Sequence, residues 1–239
     1  MLRSAAASRA RHKPAKRGRP ARGPAATIEM RDHILDQAEA LFARHGLHGV
    51  TVREVARASG VDPALVHYYF ETKTKLFDAV FQRRAQVLNE ERVRSMDAYA
   101  RAAGDRMTVE GCVEAFLEPI WRHSRMGDPR WMNYFRLIAL VNNSAEWGGA
   151  MMTRHFDPVI KQLVELIRRC MPQASDRDLY WSYHFLSGAL TLSLSETGRI
   201  DKLSGGQCAS NDMDAILRRM VPFIAAGFRR VCESDPPIE

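Results

Sequence analysis

Two helix starts in quick succession constrain this chain more than anything else in it. Thr51-Val52-Arg53-Glu54 is a capping box, in which the Thr hydroxyl and the Glu carboxylate satisfy each other's orphan backbone donors at the head of a helix. Val50 before the cap and Val55 beyond it supply a hydrophobic staple, and Gly60 stops the helix after two turns. The next helix begins at once, with Asp62 as cap, Pro63 at the first helical position, and Val61 and Val66 as staple. Two short helices joined at Gly60-Val61 spell a helix-turn-helix. Upstream, Thr27 can cap a helix of about 19 residues in which Ile34, Leu35, Ala38, Leu41 and Phe42 form one apolar stripe and Gly46 supplies the stop.

In the helix after Asp62, Leu65, Val66, Tyr69 and Phe70 fall on one face and Pro63, Ala64, His67 and Tyr68 on the other. The first set is predicted to pack and the second to face a DNA groove. That outward face carries no Arg, Lys, Asn or Gln, the usual bidentate readers of base edges. It offers apolar contact with a thymine methyl from Pro63 and Ala64, and single hydrogen bonds from His67 and Tyr68. The guanine reader is therefore expected on the preceding helix, at Arg53, while Thr51 and Lys73 are placed to hold phosphates. Each has a plainer reading, with Thr51 a simple cap, Arg53 a solvated charge and Tyr68 part of a packed surface. The order of long helix, capped short helix, glycine turn and helix ending in an aromatic cluster favours DNA binding.

Net charge is not what points to nucleic acid. Of 35 Lys plus Arg, eight lie in residues 1–26, which hold no acid, and the rest of the chain sets 27 basic side chains against 28 acidic ones. Residues 27–75 alone hold six basic and seven acidic side chains. Sequence specificity is thus expected from a near-neutral module with a few placed groups, and nonspecific attraction from the arm. The arm is poor in large apolar groups and is expected to be disordered in the free protein. Its Lys16-Arg17-Gly18-Arg19-Pro20 resembles the core of an AT-hook, in which Arg17 and Arg19 would enter a narrow A·T-rich minor groove. A solvated tail that only attracts phosphates is the alternative.

Composition excludes other classes. A body of about 210 residues can bury a real core. The longest apolar run, Leu137 to Val141, falls far short of the roughly 20 residues of a bilayer-spanning helix, so no membrane segment is expected. Cys112, Cys170, Cys208 and Cys232 form no CxxC pair and no Cys/His cluster, and read as reduced thiols of a cytoplasmic protein. Strand-like alternation, a Gly-rich phosphate loop, a nucleophile elbow and HExxH are all absent from the sequence, so neither an enzyme nor a cofactor is expected. The expected fold is all-α. It comprises a basic arm over 1–26, a helix-turn-helix DNA-binding domain over 27–75 and a larger ligand-binding and dimerisation domain over 76–239. Helices are predicted near 72–99, 108–125, 129–142, 149–171, 176–197 and 211–232.

In the last helix, Met213, Leu217, Met220, Ile224, Gly227, Phe228 and Val231, with Ile216 and Phe223 beside them, give an apolar band wider than one neighbour requires. Leu179, Tyr183, Leu186, Leu190 and Leu194 give the helix before it a similar stripe. Two such helices from each subunit would make a four-helix homodimer interface, with an internal core as the alternative. The middle helices are rich in large adaptable groups, and Phe116, Trp121, Met132, Phe135, Met152 and Phe156 either form plain core or line a site for a small hydrophobic effector. Arg136, inside an apolar run, needs a partner: an internal acid such as Glu114 or Glu165, or the anionic end of a ligand. His123, His155 and His184 are further candidate donors to a ligand.

Residues 27–77 resemble the DNA-binding domain of the TetR/AcrR family of bacterial transcriptional regulators. The match runs through Leu41, Phe42 and Gly46, then Thr51, Val52, Val55 and Ala56, then Gly60 and Val61, then Tyr69, Phe70, Thr72, Lys73, Leu76 and Phe77. His67 stands where the family usually has Tyr, and Asp62 where it has Ser or Thr. The resemblance implies a homodimer, most often a repressor, that binds a palindromic operator and is released by an effector held between the middle helices. Phe135 to Ile138, Tyr180 to Ala189 and Met220 to Arg229 are similar to segments of the fatty-acid-responsive branch, whose effector is a long-chain acyl group, free or as its coenzyme A thioester. Two other readings stay open: a regulator of an efflux pump that senses a hydrophobic drug, and a small-molecule binding protein or enzyme with a vestigial DNA domain.

Overall fold

The computed structural model describes residues 24–233, with side chains from Thr27 onward. Among these residues the chain folds as ten α-helices with no strand: α1 (Pro24–His45), α2 (Val52–Ala58), α3 (Pro63–Phe70), α4 (Lys73–Ala103), α5 (Val109–Arg125), α6 (Pro129–Asn142), α7 (Gly148–Cys170), α8 (Asp176–Leu194), α9 (Arg199–Leu203) and α10 (Met213–Cys232). The arm's Arg17 and Arg19 lie outside the described residues.

Local chemistry sets the helix ends. The Thr51 hydroxyl accepts from the Glu54 amide, and the Glu54 carboxylate takes the Thr51 amide at 2.8 Å, so the capping box is complete. Asp62 caps α3 by accepting from the Ala64 amide at 2.8 Å, with Pro63 behind it. Gly46 and Gly60 both sit at positive φ, where a side chain would be strained. The helix expected from Thr27 in fact begins at Pro24, because proline tolerates the first turn and no breaker intervenes. The helix expected to reach 197 stops at Leu194. Glu196 and Gly198 then turn at positive φ into the short α9, which the sequence did not suggest.

α1, α2 and α3 close over a small core of Ile34, Leu35, Phe42, Val55, Val66 and Phe70. α4 leaves this unit as a single 31-residue rod and runs through the body, packing against α1, α5 and α7. The junction between the two parts is dense. Phe77 meets Phe42 edge-on at 4.9 Å and Trp147 at 5.3 Å, while the fully buried Glu39 of α1 takes Arg84 at 2.8 Å and Arg83 at 3.1 Å. α5 and α8 both pack against α10, and α6 lies between α1 and α8.

The stripes expected to form a subunit interface turn out to be the subunit's own core. Leu179, Leu186, Leu190 and Leu194 of α8 are buried, as are Met213, Leu217, Met220, Ile224 and Phe228 of α10, because α5, α6 and α7 already cover them. α8 carries a second apolar strip on its opposite side, where Trp181, Phe185 and Leu192 are between 51 % and 68 % exposed, and Phe223 of α10, beside its buried stripe, is 71 % exposed. No described helix is long and apolar enough to cross a membrane.

Candidate functional site

The helix-turn-helix presents its expected outward residues to solvent. Ala64, His67 and Tyr68 are exposed on one side of α3 and Pro63 is half-buried at its start, while Val66 and Phe70 are buried on the other side. Tyr68 is the most exposed large side chain, at 78 %, and Tyr69 meets its ring edge-on at 5.4 Å, which restrains it. His67 Nδ1 lies 3.1 Å from the carbonyl oxygen of Glu71, a residue held at positive φ where α3 ends. As the donor there, His67 ties down the turn and leaves Nε2 facing outward. Arg53 is exposed on α2 with no ion pair, and Lys73 opens α4 behind the Thr72 cap. The Thr51 hydroxyl donates to Glu54, and these hydrogen bonds hold the Glu54 carboxyl below its ordinary range. This surface has the chemistry of a few placed groups on a near-neutral face.

In the body, helices α4 to α8 line a small cavity of ≈ 30 Å³. Its wall includes Phe116 of α5, Ile138 of α6, Met152 and Phe156 of α7, and Tyr183 and Thr191 of α8. One cation enters this apolar setting, Arg92 of α4, whose side chain is 3 % exposed. Among the described residues no carboxylate pairs with it and its Nε has no hydrogen-bond partner. The guanidinium lies 4.1 Å from the centre of the Phe116 ring and 5.9 Å from that of Phe156. Burial pushes its pKa down to about 10, so it stays charged at neutral pH. The adjacent Tyr134 phenol is also buried without a partner, and burial raises its pKa.

Three of the residues expected at a ligand site, Phe116, Met152 and Phe156, meet at this cavity. Five lie elsewhere. Trp121 donates its indole N–H to Asp214 in the groove between α5 and α10. Phe135 is fully buried against Trp131 and Tyr134, and Met132 packs beside the core. Arg136 points away from the cavity and pairs with Glu196 at 2.5 Å, not with Glu114 or Glu165. His184 is exposed on the outer side of α8 beside Trp181. His123 is stacked on Trp131 at 3.6 Å and bonded to Glu91, and His155 lies 3.2 Å from Asp78.

Sequence reasoning missed Arg92, which sits in the charged run Asn89-Glu90-Glu91-Arg92-Val93-Arg94. The signal was there in the spacing: Phe81, Ala85, Leu88, Arg92 and Met96 recur three or four apart and all are buried, so Arg92 occupies the core stripe of α4. Widely spaced cysteines also meet: Cys112 Sγ and Cys170 Sγ are 3.8 Å apart, both as free thiols. Among the described residues no group of three His, Cys, Asp or Glu is arranged to hold a metal ion.

Residues 34–80 match the family described as bacterial regulatory proteins, tetR family, and residues 114–227 match the tetracyclin repressor-like C-terminal domain. The HTH-type transcriptional regulator AcrR of Shigella flexneri is 30 % identical over 81 residues, which cover 34 % of this chain and 36 % of that protein. The HTH-type regulator BetI of Rhizobium meliloti is 36 % identical over 70 residues, or 29 % and 34 % of the two chains. The chain thus matches about a third of the length of these relatives. In overall fold it is similar to the fatty acid degradation regulator FadR of Bacillus halodurans, with a TM-score of 0.59 at 16 % identity over 82 % of this chain and 98 % of that one. With its DNA-facing module and its helical body each matching the corresponding part of one family, the chain belongs to the TetR family of bacterial regulatory proteins.

Proposed function

We propose that the protein is a homodimeric transcriptional repressor that binds a palindromic operator through α2, α3 and the start of α4, and leaves it when a small, largely apolar effector occupies the cavity around Arg92. The observation that carries the reading is the doubly capped helix-turn-helix, with Arg53, Ala64, His67 and Tyr68 all directed to solvent. Arg53 would read guanine, Pro63 and Ala64 would meet thymine methyls, and Lys73 would hold a phosphate. The basic arm would add salt-sensitive attraction. The exposed strip of Trp181, Phe185, Leu192 and Phe223 on α8 and α10 supports a two-fold four-helix interface, which two half-sites require.

A regulator of cationic drug efflux would share the DNA chemistry, but it needs acids around its ligand. The cavity wall carries Arg92 and no carboxylate. The test is fluorescence anisotropy of the full-length protein on duplexes tiling its own upstream region. One duplex should bind with dimer stoichiometry, and Arg53→Ala should weaken it about 10-fold or more while nonspecific binding persists. No preference for any duplex at low salt would defeat the proposal.

A further inference from the structure

Arg92 is the residue of this body that its own structure explains least. A guanidinium this deeply buried ordinarily has a carboxylate opposite it or hydrogen bonds to all its N–H groups. Here the face of Phe116 takes one side, the Nε has no partner, and the rest of the wall is apolar apart from Tyr183, Ser187 and Thr191. Of the polar groups in the wall, the Thr191 hydroxyl donates to the Ser187 carbonyl at 2.8 Å, and the Ser187 hydroxyl accepts from Asn142 of α6 at 3.1 Å. None of them neutralises a cation. Glu91, next in sequence, turns the other way to His123 and Arg122.

We infer that Arg92 receives the carboxylate of an amphiphilic ligand, a free monocarboxylic acid with an apolar chain, and that this acid is the effector of the cavity. A carboxylate accepts two parallel N–H bonds from a guanidinium, a geometry that a neutral ester or thioester does not offer. The setting also distinguishes the free acid from its coenzyme A conjugate. The cation lies inside the bundle, walled by five helices, which must part less to admit a carboxylate and its chain than to admit a nucleotide as well. The space present, ≈ 30 Å³, is enough for about a water molecule and far too small for an acyl chain. Binding must therefore part the wall, and the unbranched, half-buried Met152 is its most adaptable member. A ligand that only a parted bundle can hold favours that state over the closed one, which is the differential affinity a switch needs.

This inference rests on the cavity being the effector site, and its test is separable from the test of DNA release. Dodecanoate, methyl dodecanoate and dodecanoyl-coenzyme A are titrated into ligand-stripped full-length protein by isothermal calorimetry, with no DNA present. Dodecanoate should bind about 10- to 100-fold more tightly than its methyl ester, the range expected for a charge-assisted pair. Arg92→Met should remove that preference while ester affinity stays within about threefold of the parent, and Arg92→Lys should restore part of it. Equal affinity for acid and ester, tighter binding of the coenzyme A thioester, or an Arg92→Met protein that keeps the preference would each overturn the inference. Retained ester binding and a far-ultraviolet spectrum unchanged from the parent would show that Arg92→Met is folded. An acid that binds through Arg92 yet leaves operator affinity unchanged would sustain the inference and refute the proposed release mechanism.

Discussion

Removing the charge of Arg92 should make the ligand-free protein more stable. A folded-state pKa pushed down to about 10 corresponds to about 3 kcal/mol held against the charged form. The contact with Phe116 at 4.1 Å returns about 1–2 kcal/mol of that in a desolvated setting. Met fills similar space with an unbranched chain and needs no hydrogen bond. Arg92→Met is therefore expected to gain about 1–2 kcal/mol, or roughly 2–8 °C in Tm for a body of this size. Because the folded pKa is lowered, the cost of the charge is present in full below about 10 and eases only as pH rises above that value. Neutral pH is thus the right condition for the comparison. The assay is urea unfolding of ligand-stripped protein at one fixed protein concentration, since dissociation of a dimer would otherwise enter the midpoint. A loss of more than about 1 kcal/mol, with the slope unchanged, would mean that the guanidinium holds the bundle together, and the argument from an unsatisfied cation would fall. Retaining a destabilising group is what a binding site does and a core does not.

Two further outcomes follow from the same structure. Phe223→Asp, at a ring 71 % exposed on α10, should leave helicity intact but convert dimer to monomer in sedimentation equilibrium, weakening association by about 100-fold; an unchanged dimer would move the interface off this strip. Burial raises the Glu39 carboxyl pKa against the lowering pull of Arg84 and Arg83, so the charged form works against folding as pH rises through the folded pKa. Glu39→Gln should therefore gain ground on the parent in urea midpoint as pH rises from the ordinary carboxylate range through the raised folded pKa, whereas a relative loss as pH rises would show that the arginine pairing dominates.

The parts of the fold that were legible in the sequence are those fixed by neighbours a few residues away. The capping box at Thr51, the Asp62-Pro63 start and the Gly60 turn are local hydrogen-bond and φ requirements, and each stands where the sequence puts it. Which side of an apolar helix meets which neighbour is decided by packing at long range, and there the sequence misled. α8 is apolar on two sides, and the apolar band of α10 is wide. Density marks the side that several neighbours cover, so the denser stripes take the internal-core alternative, while Phe223, at the edge of the α10 band, is left outward with Trp181 and Phe185 of α8. Arg136 and Arg92 invert in the same way. Arg136 stands among apolar letters but points toward Glu196, while Arg92 stands among charged letters but shares the buried stripe of Leu88 and Met96.

That inversion matters because of the helix that carries Arg92. Lys73 opens α4 at the DNA-facing end, Arg83 and Arg84 grip Glu39 of α1 near its middle, and Arg92 enters the cavity 19 residues from Lys73. At 1.5 Å per residue Lys73 and Arg92 are about 28 Å apart on one rigid element. No proline interrupts α4, so little bending is available to absorb a displacement at Arg92. The Glu39 cluster and the edge-on contact of Phe77 with Phe42 oblige α1 to follow. In the proposed mechanism, a ligand that parts α4 from α7 and α8 would therefore act on the position of the whole helix-turn-helix, and a tilt of a few degrees would spoil a fit that two half-sites must make together. Affinity by itself contributes nothing to this. A ligand that fitted the closed cavity as well as the parted one would bind and leave the operator complex untouched.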